Sequence, residues 1–218
     1  MHVDFLRTCQ SRAYRVECPA DMYDQYLHIY EKLPLGWAGL FMGLALIALH
    51  GYALLKPTTV KEALNKAAEN DKAGRFLLTV DFIWIFLLLF DVSWNPLRIN
   101  LFDFNAFRSI LIILCPIIWF VLYGQTKALI FPRALGLFLL LMAIVPLTAA
   151  FLKEPVTRLL IPIWWYPVLT VAMFWVGKPY LLRDWAAWYT ARPTLYRYSN
   201  LFGLMYGALV LLCSFFWF

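Results

Sequence analysis

The stretch Arg75 to Arg108, RFLLTVDFIWIFLLLFDVSWNPLRINLFDFNAFR, decides how this chain is read. Phe76 to Trp94 is almost wholly apolar and long enough to cross a hydrocarbon core of roughly 30 Å at about 1.5 Å per residue. It carries Asp81 and Asp91, and an aspartate at the centre of a membrane helix costs roughly 2.5 to 3.5 kcal/mol on the insertion scale. Ten residues at about 100° each leave the two carboxylates within roughly 80° of one another around the axis and about 15 Å apart along it. One side of this helix is therefore expected to face protein or water. The polar connection that follows supplies Asn95, Arg98, Asn100, Asp103, Asn105 and Arg108 as candidate partners. Two readings of the two aspartates stay open: a structural ion-pair network, with each carboxylate within roughly 8 Å of a membrane boundary, or an ion or proton site, since intramembrane carboxylates are by default functional candidates.

The rest of the chain has the same solvent. Of its 218 residues 63% are hydrophobic and 15% charged, against about 45 to 50% and 25% in globular domains. Six apolar segments are expected to span a membrane, at 35–55, 76–95, 106–123, 134–152, 159–177 and 201–218. The fold class is thus an all-α polytopic integral membrane protein of about six transmembrane helices, with short interfacial or soluble helices between them. Strands would have to close into a barrel, and these segments are too long and too uniformly apolar for that.

Residues 1–34 hold no apolar run of signal-peptide type; they form an N-terminal interfacial segment whose Tyr23, Tyr26, Leu27 and Tyr30 recur at helical spacing. Residues 35–218 form the six-helix transmembrane domain. Within it, 58–74 (TTVKEALNKAAENDKAG) reads as a soluble amphipathic helix, started by a Thr59/Glu62 capping box and ended by Gly74. The segment 178–200 reads as an interfacial loop with Arg183, Arg192 and Arg197 near lipid phosphates. Pro116, Pro146, Pro162 and Pro167 fall inside spans and are expected to bend or unwind them.

Gly39 and Gly43 in the first span and Gly203 and Gly207 in the last repeat a small-xxx-small spacing, which lets helix backbones approach closely. These faces are expected to meet, within the chain or against a copy. His50 lies near the end of the first span and reads as a hydrogen-bonded interfacial histidine or, alternatively, a proton relay. Cys115 and Cys213 are expected to pack as core. Cys9 and Cys18 would form a disulfide in an oxidising compartment, and the Cys and His spacings match no zinc pattern.

The first, third and fifth loops hold five, two and four Lys and Arg, eleven in all; the N-terminal segment and the second and fourth loops hold four, two and two, eight in all. The positive-inside rule then puts both termini outside, in a bacterial inner membrane or an organelle inner membrane. No basic patch with interleaved aromatics points to nucleic acid. Gly-x-Ser-x-Gly, His-Glu-x-x-His, a phosphate-cradling glycine loop and Cys-x-x-Cys are all missing, so no catalytic residue, metal or cofactor is assigned. Three functions fit: a non-catalytic subunit or assembly protein of a membrane complex, partnered by the bilayer and by other membrane helices as a homo- or hetero-oligomer; a small transporter or channel using Asp81 and Asp91; or an intramembrane enzyme acting on a lipid-phase substrate.

Overall fold

The computed structural model describes residues 30, 33–90, 106–125, 129–151 and 156–216, and every regular element among them is helical. Helix α1, Leu35–Leu55, follows an extended Pro34 and stops at Lys56, where Pro57 opens the next helix. Helix α2 is Pro57–Ala67, α3 is Asp71–Leu89, α4 is Arg108–Gln125 and α5 is Ile130–Ala150. A 3-10 turn at Val156–Leu159 leads into α6, Leu160–Gly177, and α7, Tyr180–Thr190, precedes α8, Pro193–Phe216.

Four of these helices are long and apolar enough to cross a membrane: α1, α5, α6 with its 3-10 lead, and α8. The described parts of the other two expected spans are also helical. However, α3 carries Asp71, Lys72, Arg75 and Asp81, and the apolar run of α4 is shorter.

The expected soluble helix over 58–74 is two pieces. Pro57 sits in the first turn of α2, where its fixed φ and missing N–H cost nothing. The helix therefore starts ahead of Thr59, and Glu62 lies near Lys66 at 3.9 Å on an exposed face instead of closing a capping box. The chain turns at Ala68, and α3 starts afresh because the Asn70 side chain accepts a 3.1 Å hydrogen bond from the Ala73 N–H. Gly74 does not end a helix; it lies inside α3 with the backbone of Phe131 against it. The expected loop at 178–200 is likewise helical, α7 followed by the first turns of α8, because Pro193 can start a helix there. Pro116, Pro146 and Pro167 lie inside helices, and Pro162 lies in the first turn of α6 behind the 3-10 turn.

Side-chain pairs give the topology. Ser214 with Gly36, Gly207 with Gly43, Asn200 with His50 and Tyr196 with Ala53 set α1 antiparallel to α8 along most of their length. Arg75 with Tyr123, Thr79 with Trp119 and Phe82 with Cys115 set α3 antiparallel to α4. Gly74 with Phe131 and Trp84 with Phe138 make α3 and α5 parallel. Gly136 against Ala172 and Val176, with Ala150 and Ile161 in one core cluster, sets α6 antiparallel to α5. That cluster also takes Leu35, Ala38, Met42 and Leu46 from α1, so α5 is the central helix, touching α1, α3 and α6. The six long helices alternate in direction. The end holding α2 and α7 gathers Lys56, Lys61, Lys66, Lys72, Arg75, Arg133, Lys178, Arg183, Arg192 and Arg197, whereas the other end has Arg108 and Arg158 among the described residues.

The α1/α8 contact is close because it is built on glycine. A Cβ on Gly43 would stand 2.9 Å from the Gly207 carbonyl oxygen, and one on Gly207 would stand 2.8 Å from the Leu46 Cβ. Leu44 and Leu209 are exposed on the same helices. Isoleucine at Gly43 or Gly207 is therefore expected to lower stability by at least about 1 to 3 kcal/mol through overpacking, while Leu44→Ile and Leu209→Ile stay near wild type; thermal unfolding in detergent checks this, and equal effects at the four positions would refute it.

Candidate functional site

Two polar groups inside the bundle stand apart from their apolar surroundings. The first is Asp81. Since α3 begins at Asp71 and ends at Leu89, Asp81 is the eleventh of nineteen residues, about 15 Å from the start of the helix. It lies mid-helix, six residues beyond Arg75. Gly74, Leu78, Asp81 and Leu88 form the buried side of α3, and Leu78 packs on Ile130 and Ala134 of α5. Asp81 is 0% exposed, and among the described residues neither carboxylate oxygen has a hydrogen-bond partner. Arg108, an expected partner, begins α4 at the far end of the antiparallel pair and makes no ion pair with it. Asp91, Asn95, Arg98, Asn100, Asp103 and Asn105 lie outside the described residues, as do Cys9 and Cys18.

The second is a hydrogen-bonded chain between α1, α7 and α8. His50 Nδ1 is 3.0 Å from Asn200 Oδ1. The Asn200 amide nitrogen donates to the Tyr196 carbonyl at 2.7 Å and to the Tyr189 hydroxyl at 3.0 Å. Tyr189 meets the Ser199 hydroxyl at 2.5 Å, and the Tyr196 hydroxyl donates to the Ala53 carbonyl at 3.0 Å. The direction of the chain follows from its end. A backbone carbonyl only accepts, so the side of Asn200 facing Tyr196 is its NH₂, and the side facing His50 is its oxygen. His50 therefore carries its proton on Nδ1 when neutral, and Nε2 is the acceptor. Nε2 is buried without a partner and lies over Gly203, where a Cβ would come within 2.3 Å of it; the edge-on ring of Trp164 lies 6.0 Å away. Gly203 is thus the space that the imidazole occupies.

Gly39 is buried on α1, and Gly43 and Gly207 face one another. Arg183, Arg192 and Arg197 are exposed at the basic end; Arg183 lies 3.3 Å from Asp184, and Arg192 lies 4.6 Å over the Trp188 ring. Cys115 and Cys213 are buried. Among the described residues no three His, Cys, Asp or Glu side chains come together as metal ligands would.

Sequence reading missed Tyr189, Tyr196 and Asn200 because they fell in a segment taken for a loop. Read as one helix, Tyr196, Asn200, Gly203 and Gly207 recur at three- and four-residue steps, which would have put them on one face with the glycines. Compared with protein-family models, with curated proteins and with solved structures, the chain finds no match.

The His50 to Asn200 bond is expected to tie α1 to α8. In a double-mutant cycle of His50→Ala and Asn200→Ala, followed by unfolding in detergent, a coupling of about 0.5 to 1.5 kcal/mol is expected; additive effects would mean that the two side chains do not act together.

Proposed function

We propose that this chain is a six-span integral membrane protein acting as a non-catalytic subunit or assembly partner in a larger membrane complex. The alternating directions of the six long helices support six crossings: α3 confines Asp71, Lys72 and Arg75 to its first turns, leaving Asp81 as the one charge from Phe76 to Leu89. The gathering of basic residues at one end supports the orientation, with that end on the cytoplasmic or matrix side and the beginning of α1 and the end of α8 on the other. A bacterial or organelle inner membrane suits this arrangement.

One observation carries the interaction role. In its most apolar stretch 11% of the residues of α6 and its lead are buried, against 28 to 39% in α1, α5 and α8. Ile163, Tyr166, Met173 and Phe174 are all more than half exposed, a large apolar surface on a helix held along one side by α5. The glycine faces that would otherwise serve a partner are occupied inside the chain, where Gly43 meets Gly207 and Gly136 meets Ala172. The outer face of α6 therefore offers a partner helix an open apolar seat. A photo-reactive residue at Met173 is expected to give a discrete heteromeric adduct in native membranes, and the same residue at Leu212 on α8 is not. Lipid adducts alone at both positions would contradict the reading.

A second reading is favoured by Asp81. A carboxyl without a partner in the middle of a membrane helix requires a proton on it or a cation beside it, and a small transporter would use that exchange. Under this reading, Asp81→Asn abolishes proton or cation flux in proteoliposomes while thermal stability is kept. A wild type silent across several ions would remove it, and so would a stability loss of about 3 to 5 kcal/mol, the mark of a broken buried pair.

A further inference from the structure

At the basic end, between the start of α3 and the end of α4, lies a cleft of about 450 Å³ lined by Lys72, Arg75, Phe76, Thr79 and Tyr123. We infer that this cleft binds the phosphate of an anionic phospholipid, seating one headgroup between α3 and α4.

Lys72, Arg75, Phe76 and Thr79 fall at three- and four-residue steps along α3, so they form one stripe, and it faces Tyr123 of α4. The Arg75 guanidinium lies 5.3 Å from the centre of the Tyr123 ring. This cation–π contact holds the guanidinium beside the ring, and its rigid fork of N–H donors suits an oxyanion. Arg75 Nε is buried and has no acceptor. No carboxylate among the described residues pairs with Lys72 or Arg75. The floor is already saturated: the Thr79 hydroxyl donates to the Arg75 carbonyl at 2.8 Å and accepts from Trp119 Nε1 at 3.3 Å. The cleft thus offers two positive charges, and the hydroxyl proton of its floor residue is already given to the Arg75 carbonyl.

Its walls point to a lipid and not to a soluble phosphate. Phe76 is 72% exposed, and Tyr123 is exposed beside it, so the cleft opens toward the hydrocarbon as well as toward water. Arg75 is the fifth residue of α3, about 6 Å from the end of the helix, the depth at which a basic side chain reaches headgroup phosphates. Two cations, neither paired with a carboxylate among the described residues although Asp71 begins the same helix, favour a headgroup with net negative charge over a zwitterionic one, whose own ammonium they would repel.

The test is native mass spectrometry of the purified full chain, titrated with phosphatidylglycerol, phosphatidylcholine or inorganic phosphate. One phosphatidylglycerol per chain is expected to bind in preference to phosphatidylcholine. Each basic residue contributes about fivefold to such binding, so Lys72→Gln with Arg75→Gln is expected to weaken it about 25-fold and Lys66→Gln to leave it unchanged. Arg75→Lys, which keeps the charge and loses the fork, should fall between. Circular dichroism reports whether each variant folds; should the double variant not fold, Lys72→Gln, an exposed change, still predicts a fivefold loss. Undiminished binding in the folded variants, equal binding of phosphatidylcholine, or equally tight binding of inorganic phosphate would each overturn the assignment.

Discussion

The rest of the bundle depends on the close antiparallel approach of α1 and α8. In lipid two apolar helices gain little from hiding hydrocarbon, so association falls to van der Waals packing and interhelical hydrogen bonds. This pair uses both. Gly43 and Gly207 bring the backbones together in the middle, Ser214 bonds the Gly36 carbonyl near one end, and Tyr196 bonds the Ala53 carbonyl near the other. Two hydrogen bonds to fixed backbone carbonyls set the register, and that register places His50 opposite Asn200. It also brings α2 and α7 to the same end, where Thr190 bonds Asn65 and the Lys61 ammonium sits 4.8 Å over the Tyr196 ring.

The same device recurs around α5. Gly74 of α3 lies on the α5 backbone at Phe131, and Gly136 of α5 lies on the α6 backbone at Ala172. Small residues are thus spent on internal contacts, and the bulky ones, such as Ile113, Ile117 and Phe120 on α4, point outward. Against that economy Asp81 is the anomaly. A fully buried carboxyl without a partner costs stability that an apolar residue would not, and its placement against α5, at the centre of the bundle, is what keeps the exchange reading alongside the interaction reading.

Much of this was legible in the sequence. Four of the six apolar stretches became helices long and apolar enough to cross a membrane, and the described parts of the other two are helical as well. Helix starts were less legible. The Thr59/Glu62 pattern is a sound capping signal, but Pro57 starts the helix sooner, and Asn70 followed by Asp71 is an equally good signal that the alanine-rich stretch concealed. That earlier start adds Asp71 to Arg75 to α3 and leaves Asp81 in the middle of the helix. In the same way, Pro193 turned a basic aromatic loop into the first turns of α8 and carried Tyr196 and Asn200 into the bundle. Gly203 shows the limit of motif reading: its spacing from Gly207 marked a close approach, and the structure gives that space to the imidazole of His50. Which side chains fill a gap is a matter of register, which no single stretch encodes.

The central claim, that α1 and α8 pair antiparallel within one chain, is tested most directly by disulfide trapping. In a background with Cys9, Cys18, Cys115 and Cys213 replaced, Gly36→Cys combined with Ser214→Cys is predicted to cross-link within the monomer under mild oxidation, and Gly36→Cys combined with Arg197→Cys is not. A cross-link between Gly36→Cys and Arg197→Cys, or a Gly36→Cys/Ser214→Cys cross-link found only in dimers, would contradict the account.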